Sequence, residues 1–281
     1  MNPYILPDSF LETLLQEDSP YGDATTWGLE IGDAPGRLTF RARHAQVVCC
    51  TEEAHRMGIL RGLHLDGNFV RSGTPVEAGT ELLCLRGRAA DLHTVWKPAQ
   101  TLMEWAGGIA SSTAELVAAI RRINPALSVG CTRKNFPGTK AVAIKAILAG
   151  GAFPHRLGLS ETLLVFAEHR SFLGNETPAE TVTRLHQRFP EKEVVVEVET
   201  MDEAAMWIDA GADVIQLEKC PPDTAAEIVR LAHGKPVKIS VAGGVNIRNA
   251  EAYAATGVHM LISSAPYMAP PRDVKVTIEA D

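Results

Sequence analysis

The sequence lacks several patterns that mark common classes of protein. Its 281 residues contain no apolar run near the ~18 residues that a membrane helix needs, and the N-terminal residues lack the charged and apolar regions of a signal peptide. The five cysteines form no Cys-x-x-Cys pair and leave an odd one over, which predicts a reducing, cytoplasmic location. The net charge is -7 and no long basic run is present, so neither nucleic acid nor a membrane is an expected partner.

Several catalytic signatures are missing too. The chain has no Ser-His-Asp order, no zinc-ligand spacing and no phosphate-binding P-loop. The glycine-rich fingerprint that opens a dinucleotide-binding sheet is also absent. These absences argue against a triad hydrolase, a zinc enzyme and a P-loop nucleotidase.

A cluster of cationic residues in the middle of the chain is the clearest indication of function in the sequence. It consists of Arg133, Lys134, Lys140, Lys145, His155 and Arg156. Arg133 and Lys134 follow an apolar strand, and cations at the end of a buried strand are costly unless an anion meets them. The alternative is a solvated turn with surface ion pairs, but two basic groups in an acidic chain favour a site for phosphate or carboxylate.

The two halves of the sequence differ in their pattern of predicted secondary structure. Residues 1 to about 95 show short strands and one or two helices, which indicates a small sheet. A longer helix is predicted to begin near Pro98, a residue suited to a first turn, and to end at Asn124 and Pro125. After it, strands and helices alternate, which predicts parallel strands with right-handed crossovers.

Six strands are predicted in this second half, enough for a closed or nearly closed barrel. They are Val129–Thr132, Leu163–Phe166, Val194–Val198, Val214–Leu217, Val237–Val241 and Met260–Ser263. We therefore predict an α/β fold with a six-stranded parallel α/β barrel of TIM type, incomplete, at the C-terminal end. An open doubly wound sheet is the alternative.

Polar residues follow the predicted strands, and in a barrel they would face one site. Glu199 and Glu218 would hold Mg²⁺ or accept hydrogen bonds from sugar hydroxyls, unless Lys219 and Lys238 merely neutralise them. Gly243 and Gly244, before a helix predicted over 247–256, would let backbone N–H groups approach a phosphate, unless they form a plain tight turn. The combination suits a phosphorylated sugar that bears pyrophosphate, together with magnesium.

The chain resembles the type II phosphoribosyltransferases, the quinolinate phosphoribosyltransferase or nicotinate-nucleotide pyrophosphorylase family. The resemblance covers nearly the whole chain, with its motifs in family order. They are GluAspSerProTyrGlyAspAlaThr (Glu17–Thr25), GlyGlyIleAla (Gly107–Ala110), ThrArgLys…ProGly (Thr132–Gly138), HisArg-x-GlyLeu (His155–Leu159), ValGluValGlu (Val196–Glu199) and AlaGlyAlaAsp (Ala210–Asp213).

The resemblance implies an N-terminal α/β sandwich over residues 1–105, joined by 268–281, and a barrel over 106–267. It implies a pentosyltransferase that moves phosphoribose from phosphoribosyl pyrophosphate to a ring nitrogen with Mg²⁺, in a homodimer with shared active sites. The implied catalytic residues are Arg133, Lys134, Glu199 and Glu218, the last two also holding the metal. The implied substrate-binding residues are Lys97, Lys140, His155, Arg156, Phe166, Gly243, Gly244 and Ser264.

Several positions depart from the family pattern. Lys97 replaces an arginine that reaches the neighbouring subunit's site, and Phe166 replaces an active-site lysine. Glu218 replaces an aspartate, and Ser264 replaces a glycine on the phosphate side. Fewer cations for carboxylate recognition predict a flatter, less anionic acceptor than quinolinate. The departures resemble the ModD branch, whose pyrophosphorylase-like members are associated with molybdenum transport.

Other functions stay open at this point. The chain would be a true quinolinate phosphoribosyltransferase of NAD biosynthesis if Phe166 does not decide the acceptor. It would be a non-catalytic sensor of a sugar phosphate or an oxyanion in molybdenum uptake if it binds without turnover. A Schiff base on Lys134 is a third alternative.

Overall fold

The structure is a computed structural model, and it describes residues 5–281. These residues form two compact units. The first comprises 5–114, 136–151 and 266–281, and the second comprises 115–135 and 152–265. The domain boundary predicted between residues 105 and 106 falls within one continuous helix, and it stays a prediction.

The elements of the first unit are α1 (Asp8–Asp18), α2 (Ala24–Gly28), β1 (Pro35–Ala42), β2 (Gln46–Val47), α3 (Thr51–Leu60), β3 (His64–Leu65), β4 (Pro75–Val76), β5 (Glu81–Arg88), the part of α4 (Ala89–Ile123) up to residue 114, α5 (Lys140–Ala149) and β13 (Val274–Ala280). A four-stranded sheet has the order β13-β1-β5-β3, with antiparallel pairs throughout. A second sheet pairs β2 with β4. A short 3₁₀ helix, Ala265–Met268, precedes β13.

Alternation along β1 builds the core of this unit. Leu38, Phe40 and Ala42 point to one face of the sheet and are buried, as the sequence predicts. They pack in one apolar cluster with Leu11 and Leu15, which α1 presents from one side. The apolar face of β1, set by alternation along the strand, therefore packs against the apolar face of α1, set by helical spacing.

The long helix α4 begins earlier than the sequence predicts. It starts at Ala89, and Pro98 lies inside it rather than in its first turn. An internal proline costs about 3 kcal/mol, but Leu92, Val95 and Ala99 at helical spacing are fully buried and offset that cost. The helix ends at Ile123, before Asn124, as predicted. Neither α4 nor any other helix within residues 5–281 is long and apolar enough to cross a membrane.

The second unit contains a parallel sheet of seven strands. Its elements are β6 (Ser128–Cys131), β7 (Phe153–Pro154), β8 (Leu163–Val165), α6 (Ala167–Arg170), α7 (Pro178–Arg188), β9 (Val194–Val198), α8 (Met201–Asp209), β10 (Val214–Glu218), α9 (Pro222–Leu231), β11 (Lys238–Ala242), α10 (Ala250–Ala254) and β12 (Met260–Ser263). The strands lie in the order β7-β6-β12-β11-β10-β9-β8. The six predicted strands are confirmed, each within about one residue at either end. The seventh, β7, is a two-residue strand that contains a proline, so it shows no alternation in the sequence.

The sheet curls into an open barrel. Its strand order follows the chain cyclically, without the reversal that a doubly wound sheet requires, so the alternative of a doubly wound sheet is wrong. The edge strands β7 and β8 do not pair with each other. Their ends nevertheless come close, because the Arg156 guanidinium lies 5.2 Å from the centre of the Phe166 ring. This contact bridges the open seam.

A buried ion pair fixes α5 within the first unit. The Lys145 ammonium lies 2.7 Å from the Glu53 carboxylate of α3, and both side chains are only 2% exposed. Glu52 adds a second carboxylate 3.4 Å from the same ammonium, and the Leu6 N–H donates to Glu53. Removing one member of a buried pair leaves the other charge uncompensated, which is far more costly than losing a surface pair.

We expect Lys145→Met to lower the free energy of unfolding by about 3–5 kcal/mol, because Glu53 is then buried without its counter-ion. Urea denaturation measures the loss. Adding Glu53→Gln should recover part of it, since the amide stays neutral and still accepts from Leu6. Lys235→Met is the matched control, because it breaks only an exposed pair with Asp209 and should cost less than about 1 kcal/mol. An equal loss in both lysine variants would contradict this account of Lys145.

Candidate active site at the carboxyl rim of the parallel sheet

Parallel pairing brings the carboxyl ends of all seven strands to one rim. Each strand end carries at least one of the predicted site residues. In sheet order they are His155 and Arg156 after β7, Arg133 and Lys134 after β6, Ser264 after β12, Gly243 and Gly244 after β11, Glu218 at the end of β10, Glu199 after β9 and Phe166 after β8. The structure therefore brings together ten of the predicted residues, as their shared position after strands predicts.

Two arginines give the rim its positive side. Arg156 is only 9% exposed, and within residues 5–281 neither Arg156 nor Arg133 forms an ion pair. Burial lowers the pKa of Arg156, the nearby Arg133 guanidinium lowers it further, and Glu197 opposes both. A buried guanidinium beside a second one is costly unless an anion joins them. This side of the rim is therefore suited to a phosphate or a carboxylate.

His155 does not add charge to this side, in contrast to the prediction that grouped it with the cations. Burial, reinforced by Arg156, lowers the pKa of His155 to about 4. The imidazole is therefore neutral near pH 7 and offers one donor and one acceptor. Its backbone N–H donates to the Cys131 carbonyl across 2.8 Å, which fastens the end of β7 to β6.

Phe166 forms an apolar wall at the seam. Its ring contacts the apolar cluster of Leu164, Val195 and Val214. The His169 ring stacks on it at 5.7 Å, and His169 Nδ1 accepts the Phe166 N–H. A cation–π contact with Arg156 completes its surroundings. The phenyl ring is thus held in place where the family pattern has a lysine.

Glu197 is an acidic residue of the rim that was not among the site residues predicted from the sequence. It lies inside β9, half-buried, whereas the predicted Glu199 is exposed. Burial raises the pKa of Glu197, the Gln216 amide opposes that change, and three other carboxylates, first Glu218, raise it further. A lone charge within the apolar run Val194–Val198 is the signal that would have identified it. Several carboxylates therefore share the side of the rim that faces the arginines.

Glu218 and the glycine turn after β11 fit against each other. A Cβ on Gly243 would lie 2.7 Å from the Glu218 carboxyl, and the φ of Gly243 is +80°. Any larger residue at this position would displace the carboxylate, so the glycine is required for space and for conformation. Glu218 lies 3.6 Å from the exposed Lys219 ammonium, which only partly neutralises it.

The glycine turn is a loop rather than the start of a long helix. The predicted helix over 247–256 is wrong in extent, because α10 spans only Ala250–Ala254. Side-chain amides of Asn246 and Asn249 both donate to the Gly244 carbonyl and hold the loop in place. The Gly244 N–H makes no hydrogen bond within residues 5–281, and the space beside its Cα is open. Backbone N–H groups in such a turn form an anion cradle.

The carboxylates fit a magnesium ion that is bound jointly with a substrate. No group of three His, Cys, Asp or Glu in the part of the chain that the structure describes could hold a metal by itself. Mg²⁺ is commonly held by one or two carboxylates together with substrate phosphates. Glu218, Glu168 and Glu199 all lie near enough to act on the half-buried Glu197, so negative charge gathers on this side of the rim, where a divalent cation would relieve it.

Two predicted residues belong to the first unit and are not part of the rim's sheet. Lys97 is exposed on α4, with its ammonium 4.6 Å from the Trp96 ring and 3.3 Å from the Gln100 amide oxygen. Lys140 is exposed at the first residue of α5. Their predicted contacts with substrate stay predictions.

A cleft of about 540 Å³ in the first unit does not compete with the rim as a site. Its arginines already have carboxylate partners. Arg86 pairs with Asp66 and Asp281, and Arg88 pairs with Asp33 and Asp91. These arginines are neutralised by their carboxylate partners, whereas Arg156 has no ion-pair partner within residues 5–281.

Comparison with known proteins agrees with the fold. The model of the N-terminal domain of quinolinate phosphoribosyl transferase matches residues 23–107, and that of its C-terminal domain matches 109–277. A protein of Rhodobacter capsulatus named pyrophosphorylase ModD is 45% identical over 248 residues, covering 88% of this chain and 95% of its own. A Pasteurella multocida protein of the same name is 40% identical, covering 97% of both chains.

Solved structures show the same fold at lower identity. The nicotinate-nucleotide pyrophosphorylase of Francisella tularensis superposes with a TM-score of 0.89 at 24% identity, covering 98% of both chains. NadC of Streptococcus pyogenes gives a TM-score of 0.89 at 22% identity, covering 98% of this chain and 96% of its own. From both family models and from the identity to the ModD proteins, the chain belongs to the quinolinate phosphoribosyl transferase family, in its ModD-like part.

Proposed function

We propose that this protein transfers phosphoribose from phosphoribosyl pyrophosphate to a ring nitrogen of a small aromatic acid or related heterocycle, and that its acceptor is not quinolinate. One observation carries the proposal: Arg156, buried and without an ion-pair partner within residues 5–281, lies near Arg133 on the same rim as the carboxylates. A substrate with a polyanionic leaving group and a sugar that becomes positive matches this separation of charge.

The step breaks the bond between sugar C1 and the pyrophosphate oxygen, which leaves with the electron pair, and forms a bond from C1 to the ring nitrogen. Arg133, Lys134 and Arg156 would hold the departing pyrophosphate. Glu197 and Glu218 would face the positive sugar, and the Gly244 N–H would hold the 5′-phosphate. Bound Mg²⁺, with Glu199 and Glu218 as its proposed protein ligands, would neutralise the pyrophosphate oxygens.

No observation favours a Schiff base on Lys134. Its side chain is exposed, so it lacks the desolvated pocket that commonly activates a lysine for Schiff-base formation. Its backbone N–H donates to the Thr132 hydroxyl across 3.2 Å, which shapes the loop that presents it. The lysine therefore suits a flexible phosphate contact better than covalent chemistry.

The proposal includes a homodimer in the cytoplasm. The first unit leaves Tyr21, Trp27 and Leu29 largely exposed, as an interface between subunits would require. All five cysteines are free thiols, which agrees with a reducing compartment. A molar mass of 30.3 kDa by light scattering, that of one chain, would contradict the dimer. Fractionation of the native cells tests the location.

The direct test is pyrophosphate release from phosphoribosyl pyrophosphate and Mg²⁺ across a panel of aromatic acids and amides that includes quinolinate and nicotinate. We expect saturable release with at least one ring other than quinolinate. Omission of Mg²⁺ should abolish it. Quinolinate turnover at an ordinary rate would overturn the acceptor assignment. Stabilisation by phosphoribosyl pyrophosphate without release for any acceptor would instead favour the sensor.

Arg133→Ala should lower turnover of the active acceptor by at least about 10²-fold, because a cation facing the leaving group is lost. The pyrophosphate assay measures this. Arg230→Ala is the control, since Arg230 is exposed in the last turn of α9, away from the carboxyl ends. Near-full activity of the Arg133 variant would show that the rim is not the reaction site.

Phe166→Lys should create quinolinate turnover, because it restores a cation to the wall beside Arg156. A charge-assisted hydrogen bond contributes about 1.5–3 kcal/mol, so kcat/KM for quinolinate should rise at least about tenfold. Phe166→Leu keeps the wall apolar and should not gain it. Equal quinolinate rates in the two variants would show that this position does not select the acceptor.

A further inference from the structure

Lys219 adopts a backbone conformation that lysine rarely takes. Its φ is +50°, in the left-handed region, where the Cβ of an L-residue crowds the following carbonyl oxygen. Glycine has no Cβ to crowd, and asparagine visits this region more readily than lysine does. Within residues 5–281 the other non-glycine residues with positive φ are Glu30 and Cys50, and both lie in the first unit. Lys219 is therefore the one residue of this kind in the second unit.

The unusual conformation lies directly at the candidate site. Lys219 is the first residue after β10, and its backbone N–H donates to the Ala242 carbonyl across 2.9 Å. Ala242 is the last residue of β11 and precedes Gly243, so this bond fastens Lys219 beside the glycine turn. A residue held in a sparsely populated region at a site suggests that the side chain is kept there for its function.

The ammonium of Lys219 lies near the same turn. It is 3.6 Å from Glu218 Oε1, and that oxygen is 2.7 Å from the position that a Cβ on Gly243 would occupy. One carboxylate oxygen thus adjoins both the ammonium and the glycine turn. The lysine side chain is 79% exposed, so its ion pair with Glu218 is weak. The ammonium can therefore leave Glu218 and contact an anion at the turn.

A phosphate at the glycine turn needs a cation from the neighbouring strands. Glu218 at the end of β10 and Glu199 after β9 would both repel it. Arg133 and Arg156 follow β6 and β7, which β12 separates from β11 in the sheet. Among the residues directly after β9, β10, β11 and β12, Lys219 is the one cation. It is thus the cation placed to offset the repulsion.

Two other cations belong to β11 and its loop, and neither shares these features. Lys238 is the first residue of β11, at the amino ends of the strands, where it pairs with Glu193. It therefore does not neutralise the carboxylates of the rim, contrary to one reading of the sequence. Arg248 follows the glycine turn in an exposed loop, and its φ is not positive.

We propose that Lys219 is a further substrate-binding residue, whose ammonium contacts the 5′-phosphate of phosphoribosyl pyrophosphate at the glycine turn. The inference rests on the proposed function, because that function puts this phosphate at Gly244. A compact ammonium on a flexible stem suits a phosphate, whose oxygens accept hydrogen bonds in several directions. Lys219 thus binds substrate rather than merely neutralising Glu218.

The experiment measures the affinities for phosphoribosyl pyrophosphate and, separately, for pyrophosphate by isothermal titration calorimetry, each with Mg²⁺ and without an acceptor. In Lys219→Asn, the affinity for phosphoribosyl pyrophosphate should fall about tenfold, because a charge-assisted hydrogen bond is lost. The affinity for pyrophosphate, which has no 5′-phosphate, should not change. Because asparagine suits the left-handed conformation, the melting temperature should be unchanged or raised.

Two further variants separate the charge of Lys219 from its conformation. Lys219→Gly removes the side chain and suits the positive φ, so it should lose affinity as the asparagine variant does. Lys219→Arg keeps a cation on the same backbone and should retain most of the affinity. An effect through the metal would have the opposite sign, because loss of the ammonium leaves Glu218 more negative and favours Mg²⁺.

Lys238→Asn is the matched control, because Lys238 is also an exposed, ion-paired lysine of this sheet but lies at the opposite ends of the strands. It should leave both affinities as they are in the unchanged protein. An unchanged affinity for phosphoribosyl pyrophosphate in the asparagine and glycine variants, or an equal loss for pyrophosphate, would overturn the role of Lys219 and leave the proposed function intact. Absence of phosphoribosyl pyrophosphate binding by the unchanged protein would overturn the proposed function, and the role of Lys219 with it.

Discussion

Parallel pairing of the seven strands is the constraint on which the candidate site depends. It forces every carboxyl end to one rim, so residues from seven distant segments share one surface. The curl of the sheet then brings its two unpaired edges together, where Arg156 meets Phe166. Without the curl, the arginines of β6 and β7 and the carboxylates of β9 and β10 would lie at opposite ends of a flat sheet. The separation of charge along the rim is thus a product of topology.

The rim keeps the residue types of the family's motifs and departs from them at Phe166. Arginines, a glycine turn and carboxylates are retained along the carboxyl ends of the strands. The wall beside Arg156 is a phenyl ring rather than a cation, and His155 is neutral near pH 7. This part of the rim therefore carries fewer charges than the motifs alone indicate. Glu197 and Gln216 form a polar pair between neighbouring strands, where a hydrogen bond joins the half-buried carboxylate to the buried amide.

Much of the fold was predictable because its local signals agree with one another. Six apolar runs of strand length, separated by helical runs, give the parallel sheet, and the register of β1 follows from alternation. The errors have local causes. Pro98 is a common first-turn residue, yet buried Leu92 and Val95 extend α4 in front of it. The strand β7 is too short to show a period, and the Asn-held loop before α10 looks helical in sequence.

The sequence by itself determined the family, the strands and the residues that follow them, because these depend on composition and spacing along the chain. Only the tertiary structure decided which of those residues carry charge and what holds them. Burial makes His155 neutral, and the absence of an ion pair among the described residues leaves Arg156 available to an anion. Strand register sets Gln216 against Glu197. Desolvation and pairing between strands depend on neighbours far apart in the chain, so spacing alone does not reveal them.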